Sequence, residues 1–440
     1  MKSLNFIWQN KFFKNSFIII TGNILAGFLG YLFHLLISRK LSIASYGELQ
    51  TLTSLLNILA VPTIAINFFI IKYSSAFYEK KDHGSNYKFY QWLSKNIFIL
   101  ALLVSAVFIL IAPLIKNYLR LNEYLGLWII IIIMAFSLLQ TAAKGLLNGW
   151  HNFKSLSVNN ISGAVIKLLG GLILVSILPI TASALLGILA GVLFSYIYLT
   201  IIFKKNSRPT KETIAESTKD DQLIDKNNFT KEIKKYILPI FFFSLFLSLL
   251  TSFDMLMVKN LTSPELAGFY GAFNILSKII FWACSSVVIV VLPMACAKNS
   301  VNKQLHKNIL IYANTLIILI GVTGFLAYFF FPDLIINLLF GSRYLPFAGS
   351  LWAFALMAIA LSLLNLEATL AYSRYDFKIS YILLITLILE IIFVYILGQS
   401  LLHIALIIAS IQFLGYLASL FYNQKAIKKC QLTNLGEINP

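Results

Sequence analysis

Charged residues are scarce in this chain: 12% of its 440 positions are Asp, Glu, Lys or Arg, against 59% hydrophobic. Polar surface this sparse cannot cover a soluble core, so the chain is a polytopic membrane protein. Cysteine is nearly absent too. Cys284 and Cys296 fall within or at the end of one expected helix, and Cys430 falls in the carboxy-terminal tail, a set that excludes a disulfide framework and a cysteine-spaced metal site. There is no G-x-x-x-x-G-K-[ST] phosphate loop and no nucleophile or metal-binding motif, so no catalytic residue is nominated and nucleotide hydrolysis by that route is excluded. Acids are fewer than bases, 17 against 35, which leaves a net charge of +18.

Long apolar runs are abundant. About 20 residues of helix cross a hydrocarbon core, and runs of that order span 16–37, 48–71, 93–115, 125–147, 157–178 and 182–203, then 236–258, 268–294, 308–331, 347–370, 379–397 and 401–422. In lipid the backbone must satisfy its own polar groups, and runs this long and apolar do so as helices. The expected fold is all-α with twelve transmembrane helices. The first run is too long for a removed signal peptide and lacks a small-residue cleavage site, so it is read as a retained helix preceded by Lys2, Lys11 and Lys14. With both termini inside, most of the Lys and Arg fall on cytoplasmic loops, and only Arg39, Lys40, Lys116, Arg120, Lys259 and Arg343 fall outside. The basic surplus is thus a topology signal that also attracts anionic inner-leaflet lipid, and no nucleic-acid partner is needed to explain it.

The chain repeats itself. Arg39-Lys40-Leu41-Ser42-Ile43-Ala44-Ser45-Tyr46-Gly47 returns as Lys259-Asn260-Leu261 through Ala267-Gly268-Phe269-Tyr270-Gly271, and Phe153-Lys154 returns as Phe377-Lys378. The separation from Gly47 to Gly271 is 224 positions, and so is that from Phe153 to Phe377. The expected domains are an amino-terminal six-helix lobe at 1–203, a polar cytoplasmic linker at 204–235, and a carboxy-terminal lobe with its tail at 236–440. An even number of spans per repeat orients both lobes alike, and two such lobes around a central cavity is transporter architecture. With no nucleotide loop, whatever it moves is driven by a gradient or by downstream consumption, so the cofactor reduces to a coupling ion, H+ or Na+.

An ionisable side chain near the bilayer centre costs about 2.5 to 3.5 kcal/mol on insertion scales, so each needs a partner or water. Lys167 lies mid-depth in the fifth run and Lys278 near mid-depth in the eighth; Asp254, Glu390 and Glu367 lie in the seventh, eleventh and tenth. Helical spacing groups Asn160, Gly163, Lys167 and Gly170 on one stripe, Gly271, Asn274, Lys278, Trp282 and Ser285 on a second, and Asn23, Gly27, Gly30 and His34 on a third. The glycines are read as close helix packing. The lysines are read as lining a polar cavity, with a static Asp254–Lys278 pair as the other reading.

The Gly22-Asn23 helix, the turns ending at Gly47 and Gly271, the Ser252-Phe253-Asp254 to Val258-Lys259 segment and the Leu292-Pro293 pair resemble the polysaccharide flippases of the multidrug/oligosaccharidyl-lipid/polysaccharide exporter superfamily. The resemblance implies a lipid-linked oligosaccharide carried from inner to outer leaflet by alternating access, with no enzyme chemistry. It makes Lys167, Lys278, Asn274 and Asn160 candidates for receiving the headgroup, Arg39 and Lys40 candidates at the outer mouth, and Asp254, Glu390 and Glu367 candidates for coupling. Implied partners are the lipid-linked glycan and polysaccharide assembly proteins. A small-cation or drug antiporter of the same superfamily is the alternative reading; a membrane polysaccharide polymerase would need a large outer loop with paired carboxylates, whereas the largest loop here is cytoplasmic. The Lys, Ile, Asn and Phe richness points to a bacterial inner membrane.

Overall fold

In the computed structural model, residues 11–206, 237–296, 303–374 and 376–436 are described. Lys2, the polar linker beyond Asn206 and the final residues lie outside them. Among the described residues 92% are helical and none is in a strand. Twelve helical segments among the described residues are long and apolar enough to cross a membrane, so the protein is a multi-pass membrane protein.

The chain divides into two compact units, Met1–Ser244 and Leu245–Pro440. The first contains α1 (Lys11–Lys40), α2 (Ile43–Leu59), α3 (Val61–Glu79), α4 (His83–Tyr118), α5 (Leu125–Gly149), α6 (Phe153–Ile177) and α7 (Thr181–Asn206). The division falls inside α8 (Leu238–Leu261), and the second unit continues through α9 (Pro264–Cys296), α10 (Lys303–Phe330), α11 (Pro332–Leu339), a 3-10 segment (Ser342–Ser350), α12 (Leu351–Ser373), α13 (Ile379–Leu397) and α14 (Leu401–Gly436).

Proline and turn chemistry explain where the helices depart from the apolar runs. The run 48–71, expected as one helix, is two: Pro62 stands in the first turn of α3, where its missing N–H is harmless, and Thr63 caps the break by donating to the Ala60 carbonyl at 2.6 Å. Pro113, near the end of the third run, and Pro332, just after the ninth, are a further match of the repeat, yet they behave differently. Pro113 lies inside the continuous α4, whereas Pro332 starts the separate α11 because Phe331 before it is non-helical at φ −128 and ψ 42. At the other end α14 runs on to Gly436, well past the expected end of the span at Tyr422.

The repeat is also visible in the turns. Asn152 N–H donates to the Leu147 carbonyl at 2.9 Å, and at the matching positions Asp376 N–H donates to Ala371 at 3.1 Å. In the first unit the turn is reached through His151 in the left-handed region (φ 56), after which the Asn152 side chain caps α6 by accepting from Ser155 N–H.

The inner layer of the first unit is apolar, built on Ile70, Phe77, Phe89, Leu93, Leu138, Leu146, Leu199 and Phe203. The lipid-facing layer is just as apolar: Leu110 is 78% exposed and Ile289 70%. Without a hydrophobic force between helices in lipid, close contact relies on small residues. A Cβ at Gly187 on α7 would stand 2.4 Å from the Gly171 backbone of α6, and one at Gly191 would stand 2.7 Å from the Gly163 carbonyl.

Candidate functional site

In the first unit α1 leans on α6 through Gly22, which abuts Ser157, and Phe33, which abuts Gly171. Asn23, Gly27, Gly30 and His34 follow a stripe roughly a quarter turn away from that contact. Along it Gly27 and Gly30 face open space, with nothing within 4 Å of where a Cβ would be. One of the expected side chains, Asn160, borders this stripe, and a second, Lys167, stands seven residues further along α6 against the α1 contact face. Asn160 of α6 donates to the Asn23 side-chain oxygen at 2.9 Å, and the half-buried Lys167 holds its ammonium 4.5 Å from the centre of the Phe33 ring. The ring face offsets part of the cost of an ammonium at this depth. The stem of Lys167 lies against Gly191 of α7, where a Cβ would come within 3.1 Å of its own.

One turn further along α1, Gln50 of α2 bonds His34 Nδ1 at 2.9 Å and donates to Tyr46 Oη at 2.7 Å. Arg39 and Lys40 occupy the exposed last turn of α1, where cations also complement the helix dipole.

The second unit uses the matching residues on an acid. Tyr270 and Asn274 stand in the repeat where Tyr46 and Gln50 stand, and both donate to Asp254 Oδ2, at 2.8 and 2.5 Å. Asp254 is 3% exposed, and its other oxygen, Oδ1, has no partner. Glu390 of α13, fully buried, lies within electrostatic reach of both Asp254 and Tyr270. Gln412 of α14 donates to Glu390 Oε2 at 3.2 Å, leaving Glu390 Oε1 and Gln412 Oε1 unpartnered. Lys278, half-buried and one turn along α9 from Asn274, interacts electrostatically with Asp254. The hydrogen bonds to Asp254 come from the tyrosine and the amide. The expected stripe on α9 spans three environments: Asn274 is buried, Trp282 is 62% exposed, and Ser285 bonds back to its own helix.

Glu367 stands apart from this pair. It is 3% exposed on α12, and Asn423 of α14 donates to its Oε2 at 2.6 Å and to its backbone carbonyl at 3.0 Å. Sequence reasoning does not single out Tyr270, Gln412, Asn423 or the Phe33 ring. The signal available is Tyr46 recurring as Tyr270, and Gln412 as an isolated amide in the last apolar run.

A family model described as polysaccharide biosynthesis protein matches residues 12–296. The chain belongs to that family. Among curated proteins none matches. Among solved structures, the inward-facing form of a multidrug resistance MATE family transporter of the MOP superfamily is similar, with a TM-score of 0.71 at 10% identity over 95% of this chain and 99% of that one. Lipid II flippase MurJ in an inward closed conformation gives 0.67 at 17% identity, covering 93% of this chain and 87% of that one. A MOP superfamily transporter from Pyrococcus furiosus, described as having a binding pocket of reversed polarity, gives 0.55 at 14% identity, covering 94% and 96%. This member of the polysaccharide biosynthesis family therefore has the fold of MOP superfamily transporters and flippases, and the proteins that share the fold are transporters rather than enzymes.

Proposed function

We propose that the chain is a flippase that carries a lipid-linked oligosaccharide from the inner to the outer leaflet of a bacterial plasma membrane by alternating access, with both termini cytoplasmic. The observation that carries this reading is the half-buried Lys167 at mid-span of α6, on the same helical stripe as Asn160, whose amide pairs with Asn23 on the open glycine stripe of α1. A diphosphate and many hydroxyls cannot cross hydrocarbon without partners; an ammonium and paired amides offer charge and hydrogen bonds to such a headgroup. In the second unit Lys278 and Asn274 serve the same headgroup, and Arg39 and Lys40 meet it at the outer mouth. The family match supports the glycan.

Asp254 and Glu390 are the coupling pair on this reading, with Glu367 as an accessory carboxylate. Two buried carboxylates in electrostatic reach of each other call for two positive charges; Lys278 supplies one, and a proton or Na+ supplies the second. That same pair is the feature that favours the second reading, a small-cation or drug antiporter. Anionic inner-leaflet lipids and polysaccharide assembly proteins complete the proposed partners.

The test is a flipping assay on the full chain reconstituted in vesicles with a lipid-linked oligosaccharide. A charged hydrogen bond of about 1.5 to 3 kcal/mol corresponds to roughly ten- to hundredfold in rate or affinity, so Lys167→Ala and Lys278→Ala should each lower flipping by about that factor with expression unchanged. Undiminished flipping in both variants would remove the headgroup role of the lysines.

A further inference from the structure

The second unit holds a polar seam that the proposed cargo path does not use. On α14 the residues Gln412, Gly415, Ser419 and Asn423 follow i, i+3, i+7 and i+11, one stripe along about 16 Å of helix at ~1.5 Å per residue. The stripe is buried: Gln412 is 1% exposed, Ser419 0% and Asn423 3%. Its upper end bonds Glu390 through Gln412. Its lower end bonds Glu367 through Asn423, whose side-chain oxygen accepts from Arg374 at 2.5 Å. Arg374 is exposed in the turn between α12 and α13, where the Asp376 carboxylate accepts from Tyr422 at 2.8 and 2.9 Å.

Between the two ends two hydroxyls are bare. Ser419 Oγ has no partner, nor has Ser380 Oγ in the first turn of α13. Thr386 of α13 donates to the Ile382 carbonyl of its own helix at 2.8 Å and turns its Oγ1, free to accept, toward α14, so close that a Cβ at Gly415 would stand 2.5 Å from it. Buried polar atoms in folded proteins are mostly satisfied, so the two bare hydroxyls, together with the open oxygens of Glu390, Gln412 and Asp254, mark a line for ordered water.

We infer that the α13–α14 seam is a proton route joining the Asp254–Glu390 pair to the membrane surface that carries the end of α14, with Glu367 as its surface-side relay. The inference rests on the coupling role proposed above for Asp254 and Glu390. A proton leaves the Glu390 carboxyl for seam water. Ser419 accepts one proton while giving up its own, so it ends unchanged. Glu367 takes the proton up and releases it to water at Arg374 and Asp376, so Glu390 is left ionised and Glu367 returns to its starting state. The groups that bias the route are Asp254, Tyr270 and Lys278 around its deep end and Arg374, Asp376 and Tyr416 around its surface end.

The experiment uses the full chain in vesicles of known orientation with the pH of each side set independently. Dicyclohexylcarbodiimide, an apolar reagent that adds to protonated buried carboxyls, is the probe, and labelling is read by mass at the Glu390 peptide. The expected result is labelling that rises up to about tenfold per unit of acidification on the α14-end side, with little response to the other side. Ser419→Val removes that control and Ser419→Thr keeps it. Thr386→Val, which removes the facing hydroxyl at constant size, behaves as Ser419→Val does and stands in if that variant does not fold. Labelling that follows the opposite side, or that follows the α14-end side equally in both valine variants, overturns the route and leaves the coupling pair standing. Labelling indifferent to pH on both sides overturns the route and proton coupling together.

Discussion

Single residues in this chain are placed by their cost in lipid. Asp254 is tolerable because Tyr270 and Asn274 donate to it, and Lys167 because its ammonium rests on a ring and its stem on a glycine. Removing one donor from a buried carboxylate leaves its desolvation uncompensated, so Tyr270→Phe should destabilise the second unit by about 1.5 to 3 kcal/mol, read as a shift of the denaturation midpoint in detergent. An unchanged midpoint would mean that the tyrosine hydroxyl contributes nothing to holding the acid. The ionisable residues themselves are legible in the sequence, since a charge inside an apolar run stands out. Their partners are not: Gln412 lies 158 positions from Asp254 in the sequence, and only folding brings α14 beside α13 and α8.

Helices here meet through absences of side chain. Gly187 and Gly191 let α7 reach the backbone of α6, whereas Gly27 and Gly30 on α1 touch nothing. The two kinds of glycine therefore separate in a mutational test. Gly187→Ala should cost about 1 to 3 kcal/mol by overpacking, and Gly30→Ala should be near neutral for stability, both measured by thermal unfolding of the purified chain. Equal effects would contradict the packing described. From sequence alone the stripe glycines look alike, and the expectation that they pack helices holds for Gly163 and Gly170 of α6, which meet α7, and fails for Gly27 and Gly30 of α1. Position along a helix gives the face; what that face meets depends on a neighbour whose identity spacing does not encode. Pro113 and Pro332 make the same point, since one proline is absorbed within α4 and its repeat mate begins a new helix.

The number of spans, the all-α fold and the repeat are legible because hydrophobic length and duplicated turn residues report on the bilayer directly. The proposed orientation has its own check. In a background with Cys284, Cys296 and Cys430 replaced, cysteines introduced at Lys40 and Lys425 should be labelled by an impermeant thiol reagent from opposite faces of the membrane, Lys40 from outside. Labelling of both from one face would overturn the assigned topology. Cargo is the least legible property at this scale, because one fold serves drug transporters and a lipid II flippase alike. The deciding measurement is therefore a direct comparison in vesicles of the purified chain with two candidate cargoes, a lipid-linked oligosaccharide and a cationic dye. The glycan headgroup should appear on the opposite face at a rate that depends on Lys167, while the dye stays where it was loaded; movement of the dye without movement of the glycan would contradict a glycan flippase.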